Sequence, residues 1–340
     1  MITDARVLRE GFVPNDVVHR DHEVNSLSRV LRPITDGEPT EPALVTGPSG
    51  TGKTTITKFV VSRLRETVRD VAAVHLNCWQ SYSRFKATYE ILGALGESVD
   101  VRRRSTPHDE LLDRLAAYDG PPVIVTLDEA DQLEDSRLVY DLYRLPTFSI
   151  VLVTNDEAEL LAGLDERVRS RLHTAETVHV DAYHTAELVD ILAARVEHGL
   201  VRDAVTDAHL HRMADAGGGD ARVALSILRS AARRADRAGV DRLADDHVEA
   251  AIPEGHRDVR TKNLNALRPQ QRTVYEILVE AGELAPKELY DRYRERVEDP
   301  RTKRTVRSWL QKLTHYDLVA ASGEGPSRTY AAVPAHSTTE

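Results

Sequence analysis

The chain has 340 residues, 41% of them hydrophobic and 29% charged, with a formal net charge of −10; this is enough chain for two or three domains with cores that are stable unaided. No apolar run approaches the length of a bilayer span and the opening Met1-Ile2-Thr3-Asp4 has no signal-peptide pattern, so the expectation is a soluble, cytoplasmic protein with no membrane partner. Cys78 is the only cysteine, which excludes an internal disulfide and a cysteine-only metal cluster.

In chain order, strand-like apolar runs fall at 43–46, 71–77, 123–127 and 149–154, separated by helical patterns. That alternation predicts an α/β fold, a mostly parallel sheet covered by helices, with ligands at the carboxyl ends of the strands. The first run leads into Gly47-Pro48-Ser49-Gly50-Thr51-Gly52-Lys53-Thr54-Thr55, after which Ile56, Phe59, Val60 and Leu64 recur at helical spacing. Strand, glycine-rich loop, Lys-Thr and helix together form a phosphate-binding loop. The glycines let successive backbone N–H groups turn toward phosphate oxygens, and the helix N-terminus adds its positive end. Lys53 is expected to reach the β- and γ-phosphates of ATP or ADP, and Thr54 to place its hydroxyl on Mg²⁺.

The run at 123–127 ends in Asp128-Glu129. Asp128 is expected to hold Mg²⁺ directly or through water, and Glu129 to orient and deprotonate the water attacking the γ-phosphate. Asp128-Glu129-Ala130-Asp131 also spells the signature of one RNA-helicase group, but the companion strings of those helicases are absent. Asn155, after the next strand, reads alone as a helix cap; one strand beyond the acidic pair, it is placed to bridge water and γ-phosphate.

From about residue 180 the strands stop and helices are expected at 185–197, 206–216, 220–238 and 243–252, a small helical domain in which Gly217-Gly218-Gly219 ends one helix and Asp220 caps the next. Residues 253–261 are polar and poor in apolar side chains, which predicts a linker and a domain boundary. Beyond it, helices at 268–280, 286–298 and 302–314 precede a hairpin over 319–333 with Gly323 and Gly325 in its turn, the order of a winged helix. The division expected is therefore 1–179 nucleotide-binding, 180–256 lid, 257–335 winged helix and a tail at 336–340.

These strings resemble the AAA+ ATPases, and more narrowly the archaeal replication initiators related to the eukaryotic origin recognition complex and cell-division-control loader. Besides the motifs above, the resemblance rests on Phe12-Val13-Pro14 with His19-Arg20, Val74-His75-Leu76-Asn77-Cys78, Asn155-Asp156, the run from Leu164 to Ser170 and Gly219-Asp220-Ala221-Arg222 with Val223-Ala224-Leu225. It implies that Asn155 is a first sensor residue and that Arg222 is a second, reaching from the lid toward the γ-phosphate. His19 and Arg20 match the family segment near the adenine. Arg167, Arg169 and Arg171 occupy the neighbourhood of an arginine finger, and the family pattern favours Arg167. It further implies slow ATP turnover used as a switch, a double-stranded origin as ligand, a nucleoid-associated location, and as partners the replicative minichromosome maintenance helicase and the protein itself or paralogous initiators. A transcription or plasmid-copy regulator that binds ATP without using its hydrolysis is the alternative; a clamp-loader subunit fits less well, because its C-terminal collar would be helical.

Charge supports a DNA-binding end. Residues 260–335 hold fourteen Lys and Arg against ten Asp and Glu, a balance of +4, leaving −14 for the rest. Between Arg301 and Lys312 there are five cations and no acid. Val306, Leu310 and Leu313 share one helix face with Trp309 beside them, while Lys303, Arg304, Arg307 and Gln311 lie on others, as a helix that packs on one side and meets phosphates and base edges on another requires. Arg328, at the hairpin, is the candidate wing contact, and Arg102-Arg103-Arg104 a candidate second contact on the nucleotide-binding domain.

Overall fold

A computed structural model describes residues 1–333 apart from positions 15, 39, 69, 99, 100, 102–105, 165, 173 and 174. The Arg102-Arg103-Arg104 run and the expected tail lie outside the described residues. Contacts divide the chain into two bodies: residues 11–194 with 218–221, and residues 1–10, 195–217 and 222 onward.

In the first body the elements are α1 (Asp21–Leu31), β1 (Ala43–Thr46), α2 (Lys53–Thr67), β2 (Ala72–Asn77), α3 (Arg84–Leu95), α4 (His108–Ala116), β3 (Val123–Asp128), α5 (Arg137–Tyr143), β4 (Phe148–Thr154), α6 (Glu157–Gly163), α7 (Glu166–Leu172), β5 (Glu176–His179) and the start of α8 (Thr185–Gly199). The strands form one parallel sheet in the order β2-β3-β4-β1-β5. Helices cover both faces, so alternate side chains of each strand enter different cores. Leu44, Val74, Leu76, Val125, Leu127, Ile150 and Leu152 belong to one, with Ile91, Leu111 and Leu138; Ala43, Val45, Ile124, Val151, Val153 and Val178 belong to the other, with Leu27, Leu31, Ile56 and Val60.

The four expected strands are present, and a fifth that the apolar pattern did not mark, β5, adds an edge to the sheet. Glu176-Thr177-Val178-His179 contains one buried residue and pairs on one side only, with β1, so it lacks the apolar run that marks a strand covered on both faces. Helix α4 starts at His108 with Pro107 in the cap position.

The second body contains the end of α8, then α9 (Asp207–Gly217), α10 (Ala221–Arg237), α11 (Asp245–Ala266), α12 (Pro269–Ala281), α13 (Pro286–Arg296), α14 (Lys303–His315) and the hairpin β6 (Val319–Ser322) and β7 (Thr329–Ala332). Its N-terminal segment is tied down by the bridge Ile2 to Leu200 and by Arg195, whose guanidinium donates to the Val7 carbonyl at 3.0 Å.

The expected linker at 253–261 is instead the interior of α11, which runs unbroken across Pro253 and across the predicted boundary at 256/257. Proline costs this helix one backbone bond and a steric contact, but contacts to α10 hold it on the far side. Arg234 and Ser230 both bond to the Glu254 carboxylate, Arg229 reaches Asp258 at 2.9 Å, and Val259 is buried. A Cβ on Gly255 would lie 2.8 Å from the Ile227 backbone nitrogen, so glycine is what lets the two helices approach this closely.

At the C-terminal end, α12, α13 and α14 enclose Val274, Leu278, Leu289, Tyr293, Val306, Leu310 and Leu313, and the hairpin adds Val319 and Tyr330. Val319 pairs with Ala332 and Ser322 with Thr329 in an antiparallel register, while Leu284 bridges to Tyr330. Gly323 turns the hairpin at φ +74°, where a Cβ would meet the Ser327 carbonyl oxygen at 2.5 Å.

Candidate nucleotide site

The sheet register gathers the predicted site. Thr46 at the end of β1 lies beside Thr154 at the end of β4, Leu127 of β3 lies beside Leu152 of β4, and Asn77 of β2 lies beside Asp128. The phosphate loop therefore opens next to the strand that delivers Asn155, with the acidic pair one strand further on. Because β1 is inserted between β4 and β5, the loop stands where the strand order departs from chain order, where open parallel sheets bind ligands.

Within the loop, Gly47, Gly50 and Gly52 all have positive φ, at +148°, +78° and +93°. Gly52 occupies the cap position of α2, and the Thr51 hydroxyl donates to the Pro48 carbonyl at 3.0 Å. Lys53 is buried and donates to the carbonyls of Gly47 at 2.8 Å and Pro48 at 2.6 Å, and to Asn155 Oδ1 at 2.8 Å. The Asn155 amide nitrogen in turn donates to Glu129 Oε2 at 2.6 Å. Its orientation is fixed chemically, because an ammonium can only donate and a carboxylate can only accept. Asn155 thus links the loop lysine to the carboxylate expected to activate water.

The Thr54 hydroxyl donates to Asp128 Oδ2 at 2.9 Å, and the Glu129 backbone N–H donates to Oδ1 at 3.1 Å. Asp128 is buried at the end of a strand with no exposed residue. A hydroxyl and a carboxylate side by side at the phosphate loop are the hard oxygen donors that a Mg²⁺ ion takes, so the residues present fit the ion. Glu129 has φ +56°, an unusual conformation for a non-glycine residue and one that marks functional turns.

Three neighbours of this site escaped the sequence reading. His75 on β2 places Nε2 3.4 Å from Asp128 Oδ2; it stands opposite Thr126, two pairs before Asn77 and Asp128, and its nearness to the carboxylate follows from that register. Tyr183 is buried with its hydroxyl against the loop, 2.6 Å from where a Gly52 Cβ would stand, and the Arg20 guanidinium lies 4.0 Å over its ring. Burial pushes the Tyr183 phenol up, opposed by that cation. Asp220 sets its carboxylate against the loop: Oδ1 is 1.9 Å from a Cβ built on Gly50, and Ala221 N–H donates to the Gly50 carbonyl at 3.0 Å.

The remaining candidates are placed as follows. Pro48 is exposed, and Ser49, Gly50 and Thr55 are partly so. Arg20 is buried, bonding to Glu23 Oε1 at 3.1 Å and the Asp181 carbonyl at 2.7 Å, so it braces the wall of the site; His19 bonds to Asp190 at 2.8 Å. Arg222 is the second residue of α10 and partly buried. Arg167 is exposed on α7, whereas Arg169 turns inward to the Leu164 carbonyl at 3.0 Å. Arg301 ahead of α14 and Lys303, Arg304, Arg307 and Gln311 on it are exposed, but Lys312 is buried, so four of the five cations between Arg301 and Lys312 reach solvent. Arg328 is exposed with its guanidinium 5.6 Å over the Tyr330 ring. Among the described residues no helix is long and apolar enough to cross a membrane.

A parallel sheet, a phosphate loop and an acidic strand end joined through an asparagine define an AAA+ ATPase, and the AAA domain family matches residues 38–163 while the Cdc6 AAA+ ATPase-type lid domain family matches residues 189–253. The chain is 52% identical over 333 residues to ORC1-type DNA replication protein 9 of Halobacterium salinarum, covering 98% of this chain and 94% of that protein. It is 47% identical to ORC1-type DNA replication protein 1 of the same organism, covering 91% and 100%. Among solved structures it is similar to the Aeropyrum pernix ORC1 protein in complex with DNA, with 27% identity, a TM-score of 0.73 and coverage of 97% and 93%. The chain belongs to the ORC1-type DNA replication protein family.

Proposed function

We propose that this chain is an ATP-switched initiator that recognises double-stranded DNA at a replication origin and helps recruit or load the replicative minichromosome maintenance helicase, alone or with further copies or paralogues. The observation that carries the reading is the bonded chain Lys53–Asn155–Glu129 beside the pair Thr54–Asp128, in a chain similar along almost its whole length to proteins named for DNA replication. Those names favour replication over the regulator alternative.

The site geometry and the family resemblance support the following division of labour. Backbone N–H groups from Ser49 to Thr55 and the Lys53 ammonium hold ATP or ADP, with Tyr183 and Arg20 walling the site. When bound, Mg²⁺ supplies charge neutralisation of the β- and γ-phosphates, held by Thr54 and Asp128. Glu129 accepts a proton from the attacking water as that oxygen bonds to the γ-phosphorus and the bond to the β–γ bridging oxygen breaks, yielding ADP and phosphate. Asn155 fixes Glu129, and Arg222 supplies positive charge from the lid. Arg167, exposed on α7, is the residue for a neighbouring subunit's site. Helix α11 leads from the lid into a winged helix that begins at α12, with α14 as the recognition helix carrying Lys303, Arg304 and Arg307, and Arg328 on the wing.

The test is DNA-stimulated ATP hydrolysis by the wild type, Lys53→Ala and Glu129→Gln. Both variants should lose at least about 100-fold in rate, with Glu129→Gln retaining ATP binding and Lys53→Ala losing it. Equal rates in all three would refute the hydrolytic assignment.

A further inference from the structure

Asp131 completes the acidic string at the end of β3, yet the reaction above gives it no role. Its carboxylate is bonded at both oxygens. Gln132 Nε2 donates to Oδ2 at 2.7 Å and the Thr154 hydroxyl lies 3.1 Å from Oδ1. The same hydroxyl lies 3.1 Å from the Asp156 carbonyl and accepts from the Asp156 N–H at 3.2 Å; its single proton goes to the charged acceptor, because charge-assisted bonds are about twice as strong as neutral ones. The two donors, Thr154 and Gln132, are both buried, whereas Asp131 itself is partly exposed. Thr154 immediately precedes Asn155, and the Gln132 N–H donates to the Glu129 carbonyl at 2.8 Å.

Asp131 therefore clamps the two chain segments that carry the bonded pair Glu129–Asn155. Glu129 itself stands in the left-handed region at φ +56°, and a residue there keeps its conformation only when its surroundings over-determine it. We propose that Asp131 is a positioning residue for ATP hydrolysis: through Thr154 and Gln132 it sets the distance between Asn155 and Glu129, and hence the aim of the carboxylate at water. This inference rests on the hydrolytic roles proposed above for Glu129 and Asn155.

Chemistry distinguishes the clamp from general packing. In Asp131→Asn the new amide oxygen can still accept from Thr154, and its nitrogen can donate to Gln132 Oε1 once the Gln132 amide turns over; in the wild type that buried oxygen has no partner among the described residues. Asp131→Ala loses both bonds. The experiment measures kcat, KM for ATP and equilibrium affinity for ADP in Asp131→Ala, Asp131→Asn and Thr154→Val, each in the wild-type and the Asn155→Ala background.

Asp131→Ala and Thr154→Val should lower kcat about 10- to 100-fold, the scale of a misplaced reacting group, with KM and ADP affinity unchanged. Asp131→Asn should recover most of that loss, and in the Asn155→Ala background neither substitution should lower kcat further. Equal losses in both backgrounds, no rescue by asparagine, or a wild-type kcat in Asp131→Ala and Thr154→Val would overturn the proposal. If Asp131→Ala does not fold, the same pair of backgrounds with Thr154→Val decides it. A wild-type kcat in Asn155→Ala alone would instead refute the hydrolytic role of Asn155, and the clamp with it.

Discussion

At the scale of single residues, the nucleotide site is governed by groups with one admissible chemistry each. Lys53 can only donate and Glu129 can only accept, so Asn155 between them has its amide orientation dictated. The loop glycines are equally constrained. Gly50 combines φ +78° with an Asp220 carboxylate oxygen only 1.9 Å from where a Cβ would stand. Gly50→Ala should therefore cost about 1–3 kcal/mol of stability and weaken ATP binding, read by thermal unfolding with and without nucleotide; an alanine variant with wild-type melting behaviour would show that the loop does not need this conformation. Most of the site was legible at this scale: Lys53, Thr54, Asp128, Glu129 and Asn155 lie where their spacing from strand ends placed them, because a parallel sheet delivers strand ends to one edge. His75, Tyr183 and Asp220 were not, since their proximity arises from strand register and from a chain segment returning to the loop, neither of which leaves a local pattern.

At the scale of elements, the differences between sequence and structure have separate physical causes. Strand β5 carries one buried residue in four and is specified by pairing with β1, so its own composition says little. The expected linker reads as a break because Pro253 and a polar run interrupt the helical pattern, yet α11 continues through them on bonds contributed by α10. The Arg234 guanidinium and the Ser230 hydroxyl hold the Glu254 carboxyl below the usual carboxylate range. A carboxylate with a depressed value in the folded state stabilises fully above its unfolded value and loses that contribution as pH falls through the folded one. Acid unfolding of Glu254→Gln should accordingly be less pH-dependent than that of the wild type below about pH 4, with reduced stability at pH 7, as circular dichroism against pH would record. A packing test is independent of charge: Gly255→Val forces a side chain onto the Ile227 backbone and should destabilise by about 1–3 kcal/mol, measured by denaturant unfolding.

At the scale of the whole molecule, charge distribution as well as fold supports the proposed union of an ATPase with a DNA-binding end. In an acidic chain whose excess of cations is confined to the last part, the exposed Lys303, Arg304 and Arg307 are the proposed contacts to DNA. Each phosphate contact removed should weaken binding and reduce the slope of log affinity against log salt by about 0.9, so Arg304→Ala and Arg307→Ala should bind less tightly and with flatter salt dependence in a titration from low to high salt. The central claim is that nucleotide state governs the grip on DNA. The measurement that tests it most directly is the affinity of the wild type for a duplex carrying its mapped genomic site, by fluorescence anisotropy, with ATP and Mg²⁺ against ADP and Mg²⁺. The two affinities should differ by about 5- to 150-fold, the range of ordinary coupling between sites, and the difference should vanish in Lys53→Ala; identical affinities with ATP, ADP and no nucleotide would contradict the account.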